Sequence, residues 1–377
     1  MKKKLILVLV VIFAIGMAMS ACGSKPAASQ PSGGGSSSGG GSTPAPAPST
    51  PATSDEVFDF IINVSLGEPV SPTWARYFAE LESESNGRLK TTNNVYWGGT
   101  LIPIPEVPKG LGAGNAAFSN IPSPNYPDIL PLTTRILNLP FLGLQDPVGS
   151  AEIWMQLYNE FPEMQAEMAK WNIKIVGTTT LGMYGLHFVD TKLVKAPADL
   201  KGRKIVPYSQ TFLPLLKAND AAGQYIPPGQ IYESLEKGVV DGYVNNWAFQ
   251  GWFGLSDLMH QHVDLSQYGA FHEWNIIGMN LDFYNSLPQD LQQIVDNKFG
   301  NNTLWDDTAA LVANEQKKSK DRGDVWTVLN DQETQVWKDA LLPIHETELK
   351  DIASKAGDVT YKIYDRAKEL IKERYGK

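Results

Sequence analysis

The chain has 377 residues, a formal net charge of -9 and a single cysteine. It carries no basic patch interleaved with aromatics, which excludes a nucleic-acid partner, and one cysteine leaves no internal disulfide or cysteine-clustered metal. The length exceeds what one small core needs and suits two lobes.

The N-terminus reads as a targeting segment. Lys2, Lys3 and Lys4 precede an apolar run from Leu5 to Met19, which is shorter than the roughly 20 residues of a membrane-spanning helix. Residues 1–21 are therefore expected to be a signal peptide. Met19-Ser20-Ala21-Cys22-Gly23 places small residues before the lone cysteine and resembles a bacterial lipobox, with Met19 where leucine is usual. That resemblance implies cleavage before Cys22 and lipid attachment to its thiol; the alternative is an ordinary secretory signal with an incidental cysteine. Residues 22–55 are low-complexity Gly/Ser and then Pro/Ala, with too little apolar bulk to fold. They read as a flexible tether spanning about 30 Å. A chain so built sits outside the cytoplasm, with the lipid as its only contact with the membrane.

The folded part begins at Val57. Phe58 to Ser65 reads as a strand, and Ser71-Pro72 opens a helix that Asn86-Gly87 stops. Thr92 to Trp97 reads as extended, Pro105 to Leu111 as a short helix, and Ala116 to Asn120 as a strand. The spacing of Trp154, Leu157, Phe161 and Met164 predicts one helix over 151–170. Strands follow at 173–177, 184–189 and 203–206, then a helix over 212–219. A short strand at Tyr225-Ile226, a helix over 230–237 and a strand over 239–244 come next. From Ser286 onward the pattern is helical and amphipathic. The alternation predicts α/β architecture with mostly parallel sheets.

Enzyme signatures are missing: the sequence has no G-x-S-x-G, no P-loop and no H-E-x-x-H. Gly110, Gly112 and Gly114 follow a helix and precede a strand, the reverse of a dinucleotide site, and read as a turn. His260 and His262 would share a strand face, yet no carboxylate or third histidine lies beside them in sequence, so no metal is expected. No cofactor is expected either.

The informative stretch is 229-GQIYESLEKGVVDGYVNNW-247. Tyr232, Leu235, Gly238, Val239, Val240, Asp241, Gly242 and Asn245 follow the pattern of the solute-binding proteins of TRAP (tripartite ATP-independent periplasmic) transporters. The stretches 199-DLKGRKI-205, 286-SLPQDLQQIV-295, 70-VSPTWARYFAELESESNGRLK-90, 95-VYWGGTL-101 and 139-LPFLG-143 occur in the same order and spacing. The chain from Val57 thus resembles that DctP-like family. The resemblance implies a two-lobed periplasmic-binding-protein-like α/β fold, mixed sheets in each lobe, a long bridging helix and a helical C-terminal region. Lobe 1 is expected at 57–181 plus 274–313, and lobe 2 at 182–273 plus 314–377. The resemblance also implies a monomeric, non-enzymatic receptor that captures a small organic solute between the lobes. Its partners would then be the membrane subunits of a TRAP permease. An ABC-importer lipoprotein, a ligand-sensing lipoprotein and an extracytoplasmic enzyme are the competing readings.

One position departs from the family. The D-L-K-G-x-K-I segment is normally followed by an arginine that grips the solute carboxylate as a bidentate fork; here that position is Val206. Arg203, an odd number of residues away, faces the other side of the strand. A buried carboxylate without a cation costs several kcal/mol. Three alternatives follow: a solute that is not a simple carboxylate, an acid held by another cation with Arg135 the best candidate, or an acid held by neutral donors. The resemblance further points to Trp97, Asn120, Ser123, Tyr184, Tyr208, Ser209, Asn245, Trp247 and Trp274 as pocket candidates. Aromatics with amides and no fixed cation suit a cyclic, aromatic or polyol-like solute.

Overall fold

The computed structural model describes residues 55–67, 72–180, 182–209, 212–300 and 305–376. The signal-peptide, Cys22 and tether readings fall outside them. Among the described residues no helix is long and apolar enough to cross a membrane.

In chain order, β1 (Phe58–Asp59) and β2 (Ile62–Asn63) precede α1 (Pro72–Glu84), β3 (Leu89–Lys90), β4 (Val95–Tyr96), α2 (Val107–Gly112) and β5 (Phe118–Pro122). Next come α3 (Pro131–Arg135), α4 (Pro147–Glu160), α5 (Pro162–Ala169), β6 (Ile173–Thr180), β7 (Gly185–Phe188) and β8 (Lys204–Val206). They are followed by α6 (Leu213–Ala218), β9 (Ala222–Gly223), α7 (Pro228–Glu236), β10 (Gly242–Asn245), α8 (Trp247–Trp252) and β11 (Gln261–Asp264). The chain ends with β12 (Trp274–Asn280), α9 (Leu281–Ser286), α10 (Gln289–Gly300), α11 (Trp305–Arg322), β13 (Val325–Val328), α12 (Asp331–Ala356) and α13 (Val359–Tyr375).

The strands form two large sheets, ordered β4-β2-β5-β12-β6 and β13-β11-β7-β10-β8-β9, plus the pair β1-β3. Both are mixed rather than mostly parallel. β12 runs antiparallel to β5 and β6, and β7 antiparallel to β10 and β11. Those antiparallel strands adjoin two short connectors, β6 to β7 and β11 to β12, by which the chain passes from one sheet to the other; it passes a third time between β12 and β13, through helices. The connectors run side by side, with the Tyr184 amide donating to the Phe271 carbonyl at 2.9 Å.

Local chemistry explains several departures from the expected elements. The single helix over 151–170 is two helices. Phe161 is extended (φ -111°, ψ 100°) because Pro162 follows it and disfavours the helical region before it. Gly110 and Gly112 lie inside α2 rather than in a turn. A Cβ on Gly112 would stand 1.9 Å from the Trp171 carbonyl oxygen, so only glycine admits this packing. Gly114 alone takes the left-handed conformation, at φ +80°. The expected strand at Tyr225-Ile226 forms instead at β9, and β13 went unpredicted within the helical C-terminal pattern.

α12 is the bridging helix. Asn330 and Glu333 cap its start reciprocally, at 2.9 and 2.8 Å. Its first half packs Trp337 and Leu341 on the second sheet's core. Pro343 removes one backbone donor at mid-helix. Past it, Ile352 joins the first sheet's core. α13 follows it there: Ile363, Ala367, Leu370 and Ile371 pack with Trp154 and Leu157. The tail assigned wholly to lobe 2 thus divides, because its last apolar stripe meets the first sheet's helices. α11, whose start was assigned to lobe 1, packs instead beside α8, with Leu311 and Glu315 against Gly251.

Candidate functional site

The geometry that could hold a ligand lies where the two connectors cross. Tyr184 immediately precedes β7 and Glu273 immediately precedes β12, so each stands at the mouth of a different sheet. The Tyr184 hydroxyl donates to Glu273 Oε2, and the Asn246 side chain also hydrogen-bonds that hydroxyl. Tyr208, two residues past the end of β8, sets its ring edge-on to Tyr184 at 5.8 Å. Asn245, the last residue of β10, pairs in register with Gly185. Tyr184, Tyr208, Asn245, Asn246 and Glu273 therefore converge from four strand ends. Sequence reading missed Glu273 and Asn246, since neither lies in a pattern that marks it; only the crossing of the connectors brings them in.

Glu273 is the unusual group. It is half-buried, and burial pushes its carboxyl up to about 7, opposed by the Tyr184 hydrogen bond. Burial first, then the adjacent carboxyl, push the Tyr184 phenol well above its ordinary range. Glu273 Oε1 accepts no hydrogen bond among the described residues and is not sealed in the interior. Asn245 has a similar vacancy. Its Oδ1 accepts from the Asn246 amide at 2.8 Å and from Asn246 Nδ2 at 3.1 Å, while its Nδ2 donates to nothing among the described residues.

Other candidates serve the scaffold instead. Arg135 is engaged within the protein. Its Nε and Nη2 reach Glu348 Oε2 at 3.1 and 2.5 Å, and Nη1 reaches Asp351 Oδ2 at 2.5 Å. α3 turns it toward α12, and Glu167 fixes α3 by accepting from the Leu132 and Thr133 amides, both at 2.9 Å. Two carboxylates already neutralise the guanidinium. Arg203 is likewise paired, through two 3.1 Å contacts to Asp190, with Phe188 stacked beneath it. Asn120 accepts from the Ser65 amide at 2.8 Å and donates to Asn275 Oδ1 at 2.9 Å. Ser123 Oγ accepts from Asn138 Nδ2 at 2.8 Å and from the Trp274 amide at 3.1 Å. Both residues are buried and fully engaged. Trp274 is 0% exposed in the first sheet's core, and Trp247 stacks on Trp326 at 4.7 Å under α8. Trp97 is half-buried, with Phe78 6.2 Å from its ring. Ser209, just past Tyr208, is half-exposed.

Val206 is 5% exposed and packs with Ile226, Ile231, Leu235 and Tyr243. The position is filled by apolar contact with α7. Beside it runs a row across the sheet, set by register: Val206, Tyr243, His187, His262 and Trp326. His187 Nε2 donates to the Asn245 carbonyl at 3.1 Å, while its Nδ1 lies 3.1 Å from Gln250 Nε2 and 2.8 Å from His262 Nδ1. Burial, then His262, hold His187 well below the ordinary histidine range. Asp324, distant in sequence, stands 3.5 Å from His260 and 3.4 Å from His262. No cluster that could hold a metal gathers among the described residues.

Residues 63–351, well over half of the chain, match the family described as bacterial extracellular solute-binding protein, family 7, DctP. A curated relative, the C4-dicarboxylate-binding periplasmic protein DctP of Rhodobacter capsulatus, is 25% identical over 186 residues; the match spans 46% of this chain and 55% of the relative, about half of its length. Among solved structures, a TRAP periplasmic solute-binding protein from Desulfovibrio salexigens superposes with a TM-score of 0.72 at 20% identity, covering 85% of this chain and 97% of that one. A TRAP solute-binding protein from Rhodoferax ferrireducens, in complex with copurified benzoate, gives 0.73 at 18% identity, covering 84% and 98%. The chain shares its fold with these solved structures, and it belongs to the DctP family of TRAP extracellular solute-binding proteins.

Proposed function

We propose that the chain captures a small organic solute where its two sheets meet and hands it to the membrane subunits of a TRAP permease, without chemical turnover. The observation that carries this reading is the convergence of Tyr184, Tyr208, Asn245 and Glu273 at the connectors, with polar atoms of Asn245 and Glu273 that have no partner among the described residues, in a family of solute receptors. Closure of the lobes on the solute is a population shift driven by contacts made only in the closed state. The relatives carry acids in their descriptions, a C4-dicarboxylate and benzoate. Here Val206 offers no charge and Arg135 is neutralised by Glu348 and Asp351. The remaining choices are an acid held by neutral donors or a solute that is not a carboxylate, and the unpaired Glu273 favours the second.

The receptor is proposed to be monomeric and lipid-anchored through Cys22, on the resemblance of 19–23 to a lipobox. Incorporation of labelled palmitate that disappears in Cys22→Ala supports the anchor; label retained in that variant contradicts it. Solute capture is tested by thermal unfolding against a library of small organic acids, amides, alcohols and amines. A solute at a thousand times its dissociation constant adds about 4 kcal/mol of stability. A raised midpoint with the solute recovered unchanged is the expected result. No shift with any compound, or conversion of the bound one, contradicts the reading.

A further inference from the structure

We propose that Glu273 makes this site selective for a solute that presents a protonated amine, with the Tyr184 and Tyr208 rings receiving the carbon skeleton next to it. This deepens the receptor reading above and rests on it. The carboxylate is half-buried and receives one neutral hydrogen bond, from Tyr184. No cation among the described residues pairs with it: Arg203 is held by Asp190, Arg135 by Glu348 and Asp351, and Lys204 reaches the Gly238 carbonyl at 2.6 Å. Its Oε1 is unpartnered yet not sealed off, so a ligand atom can reach it. A half-buried carboxylate without a counter-charge gains strongly from a desolvated ammonium, because a charge-assisted hydrogen bond replaces an unmet demand.

Above about pH 7, where Glu273 is ionised, a second carboxylate brought to the same place meets like charge with no fixed cation among the described residues to offset it. Asn245 Nδ2 and the tyrosine rings supply orientation and stacking area without charge. Edge-to-face and cation–π contacts with Tyr184 and Tyr208 favour an ammonium carried close to a ring.

Titration calorimetry on the purified protein tests this with two matched sets, benzylamine, benzamide and benzoate, and their cyclohexyl counterparts. The amine of at least one set is expected to bind at least about tenfold more tightly than its amide, and the acid to give no saturable heat. Glu273→Gln, which preserves shape, is expected to cut amine affinity by at least about tenfold and leave the amide within about threefold. The proposal is overturned if an acid binds as tightly as its amine, if neither amine binds, or if Glu273→Gln leaves amine affinity unchanged. Acid binding would sink the amine preference and leave the receptor reading standing. A library in which nothing raises the unfolding midpoint would sink both.

Discussion

The two sheets share an architecture and differ in what covers them. The first is buried on both faces by apolar side chains: Ile121, Ile276 and Trp154 on one side, Phe118, Ile277 and Phe299 on the other. The second has one wholly apolar face, with Leu186, Val244 and Trp337, while its other face is apolar only where Val206 and Tyr243 meet Ile226, Ile231 and Leu235. Its other face carries Tyr243, His187 and His262 under α8 and α11, with Gln250, Glu315 and Ser319 among the covering residues. The Tyr243 hydroxyl there has no hydrogen-bond partner among the described residues. The first sheet therefore packs as an apolar platform, while polar side chains cover part of the second sheet and meet at the connectors. The same end of the second sheet carries Val206 where an arginine is usual.

Breaking the apolar platform should cost most. Phe118 is 0% exposed and touches the rings of Phe78 and Phe299, at 5.5 and 4.7 Å. Phe118→Ala is expected to lose about 4 kcal/mol in chemical denaturation, from the cavity it leaves. A loss below about 1 kcal/mol would mean that the first sheet repacks freely and is no platform.

Acid should act on the polar side. His272 is buried, its Nε2 donates to the Leu137 carbonyl, and burial pushes it down to about 4. The unfolded chain takes up that proton near pH 6.5, so stability is complete above that pH and falls as pH drops toward about 4. At pH 5 the loss is roughly 2 kcal/mol. His187, also held low, acts in the same direction. Glu273 acts oppositely: with its carboxyl raised to about 7, its stabilising effect is complete below pH 4.5 and is lost as pH rises through about 7. Unfolding midpoints between pH 4.5 and 7.5 should therefore fall less steeply toward acid in His272→Gln and more steeply in Glu273→Gln. Equal slopes in all three proteins would refute the assignment.

Arg135→Ala should cost about 1–2 kcal/mol by releasing α12 from α3, with no change in solute affinity. A tenfold affinity loss would restore Arg135 as a ligand group. Asn245→Ala should weaken the solute by about 1 kcal/mol and also cost about 1–2 kcal/mol of stability, because the buried Asn246 amide loses its acceptor.

Much of this was legible in the sequence. The ordered motifs from Tyr232 to Asn245 carry the family and hence two lobes, mixed sheets and a bridging helix, and the caps at Asn86-Gly87 and Ser286-Leu287-Pro288 mark real boundaries. The site was legible in part. Tyr184, Tyr208 and Asn245 were named from position and converge. Asn120, Ser123, Trp247 and Trp274 were named the same way and are buried among partners of the protein itself. Polar and aromatic residues near strand ends look alike in sequence whether they face a cleft or close a buried network, and only their partners tell them apart. Arg135 pairs with residues more than 200 positions away, which no local pattern encodes. Glu273 becomes notable only once the second connector lies against the first.

Hydrogen–deuterium exchange with and without a solute that raises the unfolding midpoint tests most directly whether capture happens where the connectors cross. The account predicts new protection in 182–186, 206–209, 242–247 and 272–275, with the first sheet's interior unchanged. Protection confined to other surfaces, or absent despite a clear rise in midpoint, would contradict it.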